Sequence, residues 1–389
     1  MFAVAAQTTL LFTITTLPTP LYRDYGRADG FGVLTLTLIY ATYVVGTIST
    51  LAILGRLSDQ IGRRPVALLA LCTAAITAIL FIVSHAVPAL FAARLLTGIA
   101  SGLSSGACVA WMQELYGPDR KKDATTLTVA VNNFGIGLGP LISGWLAELT
   151  PWPLTASYIV YLVLIGAVAV AIWNTEETLD TPRPLSELSL KPRIGVPRNL
   201  IRPFLAPGII SFVIFSLVGF YSAIAPGLIG DTLKIESHAA AGGIVFELFA
   251  VATAAAWLGK PLRNRPAMLW GAGLMLPTLA LLVLAQIDAS LWLLLAGTAF
   301  GGASLGIGYL GLLEVTNELA PEDKRAELTS ALFICGNLGL AVPVIGVGVV
   351  SALANPSIAN LVFAVVIALL SVGGLAFGLS PAADAKPES

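Results

Sequence analysis

Twelve apolar segments, each about 20 residues long, constrain the fold of this chain more than any other feature. A segment of this kind crosses a bilayer as an α-helix, because a helix satisfies its own backbone hydrogen bonds in hydrocarbon. Charged residues make up 11% of the chain, against about 25% in soluble domains, which excludes a soluble protein. The segments lie at residues 2–21, 33–54, 66–84, 88–113, 125–148, 153–173, 206–228, 239–258, 267–286, 290–314, 326–352 and 357–378.

The basic residues predict how the chain is oriented. Twelve spans place both termini on one side, and 17 of the 21 Lys and Arg residues fall in loops or termini on that side. Arg23, Arg27 and Lys234 lie on the opposite side, and Arg94 lies within a span. The positive-inside rule makes the basic side cytoplasmic. We therefore expect a multi-pass protein of the plasma membrane, the inner membrane in a bacterium, with both termini in the cytoplasm and lipid around the spans.

The two halves of the chain resemble each other, which indicates an internal duplication. Residues that recur 203 positions apart are Pro118, Lys121, Lys122 and Pro140 in the first half and Pro321, Lys324, Arg325 and Pro343 in the second. The repeat predicts two six-helix bundles at 1–173 and 206–378, a cytoplasmic linker at 174–205 and a cytoplasmic tail at 379–389. A substrate site is expected between the halves, near the middle of the membrane.

A charged loop at residues 55–65 separates the second and third segments. Its sequence is Gly-Arg-Leu-Ser-Asp-Gln-Ile-Gly-Arg-Arg-Pro. The glycines allow a tight turn, and an acidic side chain is suited to face the positive N-terminus of a neighbouring helix. We expect a cytoplasmic gate made of Gly55, Asp59, Gly62, Arg63 and Arg64, in which Asp59 caps a helix of the second bundle that begins near Arg325.

This loop resembles the Gly-x-Leu-x-Asp-Arg-x-Gly-Arg-Arg/Lys pattern between helices 2 and 3 of major facilitator superfamily (MFS) transporters. Gln60 replaces the first Arg of that pattern. The resemblance implies an all-α membrane protein with twelve transmembrane helices in two six-helix bundles, which exposes a site alternately to each side.

The fifth segment carries a second pattern, Gly135-x-x-x-Gly139-Pro140-x-x-Ser143-Gly144. It is similar to an MFS motif that is characteristic of drug and other export antiporters, apart from Ser143. Small residues one turn apart allow two helices to approach closely, and Pro140 bends the helix. We expect these residues to form a pivot, although a generic glycine-rich packing face is an alternative.

Two charged residues lie well inside spans and are the candidates for proton coupling. Glu247 is the only acidic residue near the middle of a segment, and burial of a carboxyl group favours its protonated form. Arg94 lies in a pattern similar to the MFS helix-4 motif, and a charge there requires a polar cavity or a partner. Structural roles are the alternatives: a neutral or Arg-paired Glu247, and an Arg94 that reaches the headgroups or binds backbone carbonyls.

Several other residues are candidates to line a substrate cavity. Amides within the spans can bind a substrate or join helices, and aromatic rings can stack on a lipophilic compound or pack. The candidates are Gln7, Phe12, Trp111, Asn132, Asn133, Tyr221, Tyr309 and Asn337.

The remaining patterns exclude most other functions. No Ser-His-acid set, Cys/His cluster or nucleotide-binding glycine loop occurs, so we expect no enzyme activity, catalytic residue, metal or cofactor. The net charge of −1 leaves no basic surface for a nucleic acid. No cleaved signal peptide is expected, and a basic leader upstream of Met1 is expected if the sequence is incomplete.

The sequence therefore predicts a monomeric secondary transporter. Proton-coupled efflux of drug-like or small organic compounds is the first hypothesis, with the compound and protons as partners. Proton-coupled or facilitated uptake of a sugar or other metabolite is the alternative.

Overall fold

The computed structural model describes residues 1–55, 57–117, 120–179, 195–321 and 324–380. The linker residues 180–194, the tail residues 381–389, and Arg56 and Pro118 lie outside this range. The described residues form fifteen α-helices and no strand. The helices are α1 (Phe2–Thr16), α2 (Tyr22–Asp29), α3 (Val33–Leu54), α4 (Leu57–Ile61), α5 (Arg63–Val83), α6 (Val87–Tyr116), α7 (Lys121–Leu149), α8 (Ala156–Trp173), α9 (Ile201–Ala223), α10 (Ala225–Asp231), α11 (His238–Leu258), α12 (Asn264–Ile287), α13 (Leu291–Leu319), α14 (Arg325–Leu353) and α15 (Pro356–Leu379).

Twelve spans in the described part of the chain are long and apolar enough to cross a membrane, as the sequence predicts. Two predicted segments have wrong boundaries. The first span continues to Asp29 as α2, after a short 3-10 turn at Thr19–Leu21. Pro18 and Pro20 cause this break, because proline has no N–H to donate and its ring blocks the preceding turn.

The predicted segment at 206–228 differs from the helix in the structure at both ends. The helix α9 begins earlier, at Ile201, and ends at Ala223, where the short helix α10 follows. Pro226 lies in the first turn of α10, where a missing N–H is tolerated and a continuation of α9 is not.

Large apolar side chains remain exposed along the outer helices. Val163 and Trp173 of α8 are 70% and 67% exposed, and Leu369 of α15 is 68% exposed. Such a surface is unfavourable in water and favourable against lipid tails, which agrees with a chain surrounded by a bilayer.

The described residues form two compact units. The first contains Met1–Phe31, Thr42–Pro192 and Ser237–Phe246, and the second contains Gly32–Ala41, Arg193–Glu236 and Glu247–Ser389. Two helices are divided in this way: α3 after Ala41 and α11 after Phe246. The division into bundles at 1–173 and 206–378 stays a prediction.

Glycines bring helices into backbone contact within each unit. In the first unit, a β-carbon at Gly98 would clash with the Tyr43 carbonyl, and one at Gly135 would clash with the Thr9 carbonyl. The second unit repeats these contacts at glycines that lie 204 positions later. The corresponding pairs there are Gly302 with the Leu248 carbonyl and Gly339 with the Phe212 carbonyl. The equivalent packing of α3 on α6 and α11 on α13, and of α1 on α7 and α9 on α14, supports the internal duplication.

The glycine contacts predict opposite effects for two Gly→Ala substitutions. A β-carbon at Gly306 would clash with the Ala252 carbonyl, whereas one at Gly273 would have no atom within 4 Å. Gly306→Ala should destabilise the protein by about 1 to 3 kcal/mol, because the backbone must shift. Gly273→Ala should leave stability unchanged or raise it by up to about 1 kcal/mol through helix propensity. Thermal unfolding in detergent measures both, and equal shifts for the two variants would contradict the packing.

Candidate functional site

The start of α5 is bound by a carboxylate from the segment that follows α8. Gly62 has a φ of 109°, in the region that glycine adopts without strain. The next two backbone N–H groups, of Arg63 and Arg64, donate to the two carboxylate oxygens of Glu177 at 2.9 Å each. Glu177 thereby satisfies two N–H groups that have no partner within the helix, and its charge complements the positive helix end.

The Arg63 side chain forms the centre of a charged network in the same place. Its guanidinium donates to Glu114 of α6 at 2.7 Å, to the Ser58 hydroxyl at 2.8 Å and to Asp59. The Thr178 hydroxyl donates to the other oxygen of Glu114. The Arg63 side chain is only 9% exposed, so these interactions are screened less by water than a surface ion pair is.

The predicted gate residues therefore lie together, but Asp59 has a nearer partner than the predicted one. It pairs with Arg63 one turn away, and half of its side chain is exposed. Its predicted role as a cap on a helix near Arg325 stays a prediction. Sequence reasoning missed the cap by Glu177, because that residue is 114 positions from Arg63. The available signal in the sequence was an acidic pair, Glu176 and Glu177, shortly after the sixth segment, which is opposite in charge to the arginines at the start of α5.

The second unit contains an equivalent arrangement with one charge fewer. The Asn264 side chain, at the start of α12, donates to Glu318 at 2.6 Å. Arg265 donates to the Gly378 carbonyl at the end of α15 at 2.7 Å. The corresponding contacts in the first unit are Arg63 with Glu114, and Arg64 with the Trp173 carbonyl at the end of α8. An ion pair in one repeat is thus an amide–carboxylate pair in the other.

Arg94 is fully buried in α6. Its Nη1 donates to the Thr15 carbonyl at 2.6 Å, and its guanidinium lies over the Tyr43 ring, 5.1 Å from the ring centre. Thr15 is in the last turn of α1, where carbonyl groups have no partner within the helix and carry partial negative charge. This contact is of the kind that the carbonyl-binding alternative describes. A role of Arg94 in proton coupling stays a prediction.

Glu247 lies in α11 and is half-buried. Its Oε2 is enclosed and has no hydrogen-bond partner among the described residues. Tyr221 of α9 is close enough to interact electrostatically with it, and the Tyr221 hydroxyl is bound to Thr298 Oγ1 at 2.7 Å. An enclosed carboxylate oxygen without a partner is costly when the group is charged.

The predicted pivot in α7 packs on two different helices. Cβ atoms at Gly135 and Gly139 would clash with carbonyls in α1, those of Thr9 and Thr13. These two glycines therefore contact α1.

The other end of the same motif contacts α11. A β-carbon at Gly144 would clash with the His238 carbonyl, and one at Gly242 would clash with the Pro140 carbonyl. Gly242 was not singled out from the sequence, because its neighbour Gly243 is equally small and only the structure shows which of the two faces α7.

The predicted cavity residues of the first unit lie on α1, α6 and α7, which pack on one another. Gln7, Phe12, Trp111 and Asn133 are buried, and Asn132 is half-buried. Three polar atoms on these helices have no hydrogen-bond partner in the part of the chain that the structure describes: Gln7 Oε1, Trp111 Nε1 and Asn133 Nδ2. One of these atoms is an acceptor, and the other two are donors.

The cavity candidates of the second unit have protein partners. Tyr221 is bound to Thr298, and Tyr309 packs edge-on against Phe215 with ring centres 5.5 Å apart. Asn337 Nδ2 donates to the Phe333 carbonyl at 2.8 Å, and Asn337 Oδ1 has no partner among the described residues. The described residues contain no group of three or more His, Cys, Asp or Glu able to hold a metal ion.

The sequence matches the family model of the Major Facilitator Superfamily over residues 1–344. The chain belongs to the Major Facilitator Superfamily. It is thus a transporter of small molecules and not an enzyme, and a multi-pass membrane protein. The predicted family and the predicted fold class, an all-α protein with twelve transmembrane helices, are confirmed.

Individual MFS relatives differ in what they transport. A class E tetracycline resistance protein of Escherichia coli is 26% identical over 339 residues, which are 83% of this chain and 80% of that protein. The proline/betaine transporter of Escherichia coli strain K12 is 25% identical over 183 residues. That match spans 46% of this chain and only 35% of the relative.

The fold is also that of solved MFS structures. A crystal structure of the nucleoside transporter NupG superimposes with a TM-score of 0.73 over 97% of this chain and 99% of that one. The sequence identity is 12%, so this likeness concerns the fold alone.

The cap on α5 predicts a specific effect of removing Glu177. Glu177→Ala should destabilise the first turn of α5 by about 1 kcal/mol, since helix caps contribute 0.5 to 2 kcal/mol. Amide hydrogen exchange should become faster at Arg63 and Arg64. The matched control is Glu176→Ala, which changes an exposed neighbour. Unchanged exchange in Glu177→Ala, or an equal effect of Glu176→Ala, would show that the carboxylate does not stabilise the helix start.

Proposed function

We propose that this MFS protein exports drug-like or other small organic compounds in exchange for protons. In this proposal the protein is a monomer in the inner membrane of a bacterium, with both termini in the cytoplasm. Its two bundles, residues 1–173 and 206–378, expose a shared site alternately to each side.

The observation that carries this proposal is the packing of α7. Its glycines lie against α1, and Pro140 and Gly144 lie against Gly242 and His238 of α11. The pattern is the one that resembles export antiporters, and here it forms two close backbone contacts instead of facing lipid. The similarity to a tetracycline resistance protein over 83% of the chain supports the same direction of transport.

We assign proton coupling to Glu247. It is a half-buried carboxyl group whose Oε2 has no hydrogen-bond partner among the described residues, so proton binding relieves the cost of its charge. Arg94 is the second coupling candidate, because it is the buried cation of α6. Its contacts with Thr15 and Tyr43 place it at the end of α1, a helix that also carries two cavity candidates, Gln7 and Phe12.

The chemistry of the cavity candidates favours an uncharged or weakly charged compound with hydrogen-bonding groups. Gln7 Oε1 is an acceptor and Trp111 Nε1 and Asn133 Nδ2 are donors without a partner among the described residues, and Phe12 adds an aromatic ring on α1. Carbonyl, enol and amide groups on a flat or apolar framework match this set.

We assign the loop at Gly55–Arg64 to gating on the cytoplasmic side. The network around Arg63 holds the starts of α4 and α5 and the end of α6 together, so the loop moves as one piece. Asp59 keeps half of its surface exposed and remains available to a further partner.

Uptake of a metabolite is the second candidate function. The similarity to a proline/betaine transporter favours it, but that match covers less than half of this chain. Transport direction and proton movement distinguish the two candidates.

Substitution of Glu247 tests the coupling. In proteoliposomes, Glu247→Gln should retain exchange of labelled for unlabelled compound and lose accumulation driven by a pH gradient, because glutamine cannot bind and release a proton. The control is Glu236→Gln, which changes an exposed residue just before α11 and should accumulate normally. Full gradient-driven accumulation by Glu247→Gln would show that Glu247 does not carry the coupled proton and has a structural role.

Substitution in α11 tests the contact with α7. Gly242→Leu should hold α11 away from Pro140, and transport at equal membrane levels should fall at least about tenfold, equivalent to 1.4 kcal/mol or more. Gly243→Leu is the matched control, because a side chain at Gly243 meets no atom within 4 Å of its Cβ. Normal transport by Gly242→Leu would show that the close contact is dispensable.

A further inference from the structure

The first turn of α11 is held by a histidine and a carboxylate that the proposed transport mechanism does not use. His238 Nε2 lies 2.7 Å from Asp24 Oδ2 of α2. The Glu148 carboxylate of α7 accepts the N–H of Ala239 at 3.1 Å and the hydroxyl of Ser237. These contacts attach the beginning of α11 to two other helices of the first unit.

Four charged side chains lie around His238. Asp24 and Arg23 face it from α2, Glu148 faces it from α7, and Glu236 precedes it on its own segment. Two carboxylates and one guanidinium therefore surround the imidazole on the neighbouring helices. The side chains of His238 and Asp24 are only 28% and 23% exposed, so their interaction is partly shielded from solvent.

This cluster lies at the start of a helix that is divided between the two units. The helix belongs to the first unit up to Phe246 and to the second unit from Glu247 onward. Within the first unit, Gly144 and Gly242 already bring α11 against α7. The cluster lies in the first turn of α11, one turn before Gly242, so it adds contacts with α2 and α7 at the end of that packed stretch.

We propose that His238 and Asp24 form a proton-dependent lock on the beginning of α11. When a proton from the surrounding water binds His238, the imidazolium donates a charge-assisted hydrogen bond to Asp24 and holds the first turn. Loss of the proton removes the ion pair and leaves at most a hydrogen bond from a neutral imidazole to the Asp24 carboxylate, so the contact is weaker and the turn opens more often. Since protonation favours the closed contact, the closed contact also favours protonation. The lock therefore tightens as the pH falls and loosens as the pH rises, irrespective of the compound that is transported.

Hydrogen exchange of the full-length protein in detergent tests this proposal. Protection of the amides in residues 239–243 is measured between pH 5 and pH 8, after correction for the intrinsic exchange rate. We expect the protection factor of the parent protein to fall at least about fivefold across this range. His238→Gln keeps a hydrogen-bonding amide but cannot titrate, and its protection factor should not change with pH.

Two further variants make the outcome decisive. His85→Gln changes the other histidine of the chain and should retain the full pH dependence. Asp24→Asn removes the partner and should lose it, which tests the pair without changing His238. Unchanged exchange in α9 and α14 identifies variants that are folded. A parent protein without pH dependence, or a His238→Gln or Asp24→Asn protein that retains it, would overturn the lock.

Discussion

Helices in this protein approach one another through glycine, and the other features of each unit depend on that contact. In a bilayer the hydrophobic effect does not drive one apolar helix onto another, so association rests on close packing and polar contacts. Gly98, Gly135, Gly302 and Gly339 each place a helix against a carbonyl of its neighbour. The clash that a single methyl group would cause shows how little tolerance the packing has. A fixed backbone framework of this kind holds the few polar side chains at defined positions.

The helix α11 carries two titratable side chains, His238 and Glu247, and a close backbone contact with α7. Its first turn is bound by Asp24 and Glu148, its second turn contacts Pro140 through Gly242, and its middle carries Glu247. His238 and Glu247 are nine residues apart, about 14 Å along the helix axis and on opposite faces. This arrangement is consistent with separate roles for the two titratable groups: one in holding the helix and one in carrying the proton that drives transport.

Much of the fold follows from the sequence, because the pattern of apolar segments and the distribution of basic residues are local or additive signals. Most predicted spans agree with the helices to within a few residues, and the errors in the first and seventh segments occur where Pro18, Pro20 and Pro226 interrupt a helix. The partners of the charged residues could not be predicted in the same way. Glu177 and Arg63 are far apart in the chain, and the choice between Gly242 and Gly243 depends on the rotation of one helix. Such contacts are set by tertiary packing, for which a single sequence contains no direct signal.

The proposed transport cycle couples movement of an organic compound to movement of protons in the opposite direction. This coupling can be measured in everted membrane vesicles that contain the protein. The vesicles are acidified inside by respiration, and a pH-sensitive dye reports their internal pH. Addition of a panel of compounds that begins with tetracycline should raise the internal pH for at least one compound, and vesicles without the protein should show no change. Entry of a labelled compound without any change in internal pH would contradict proton coupling and would indicate facilitated transport.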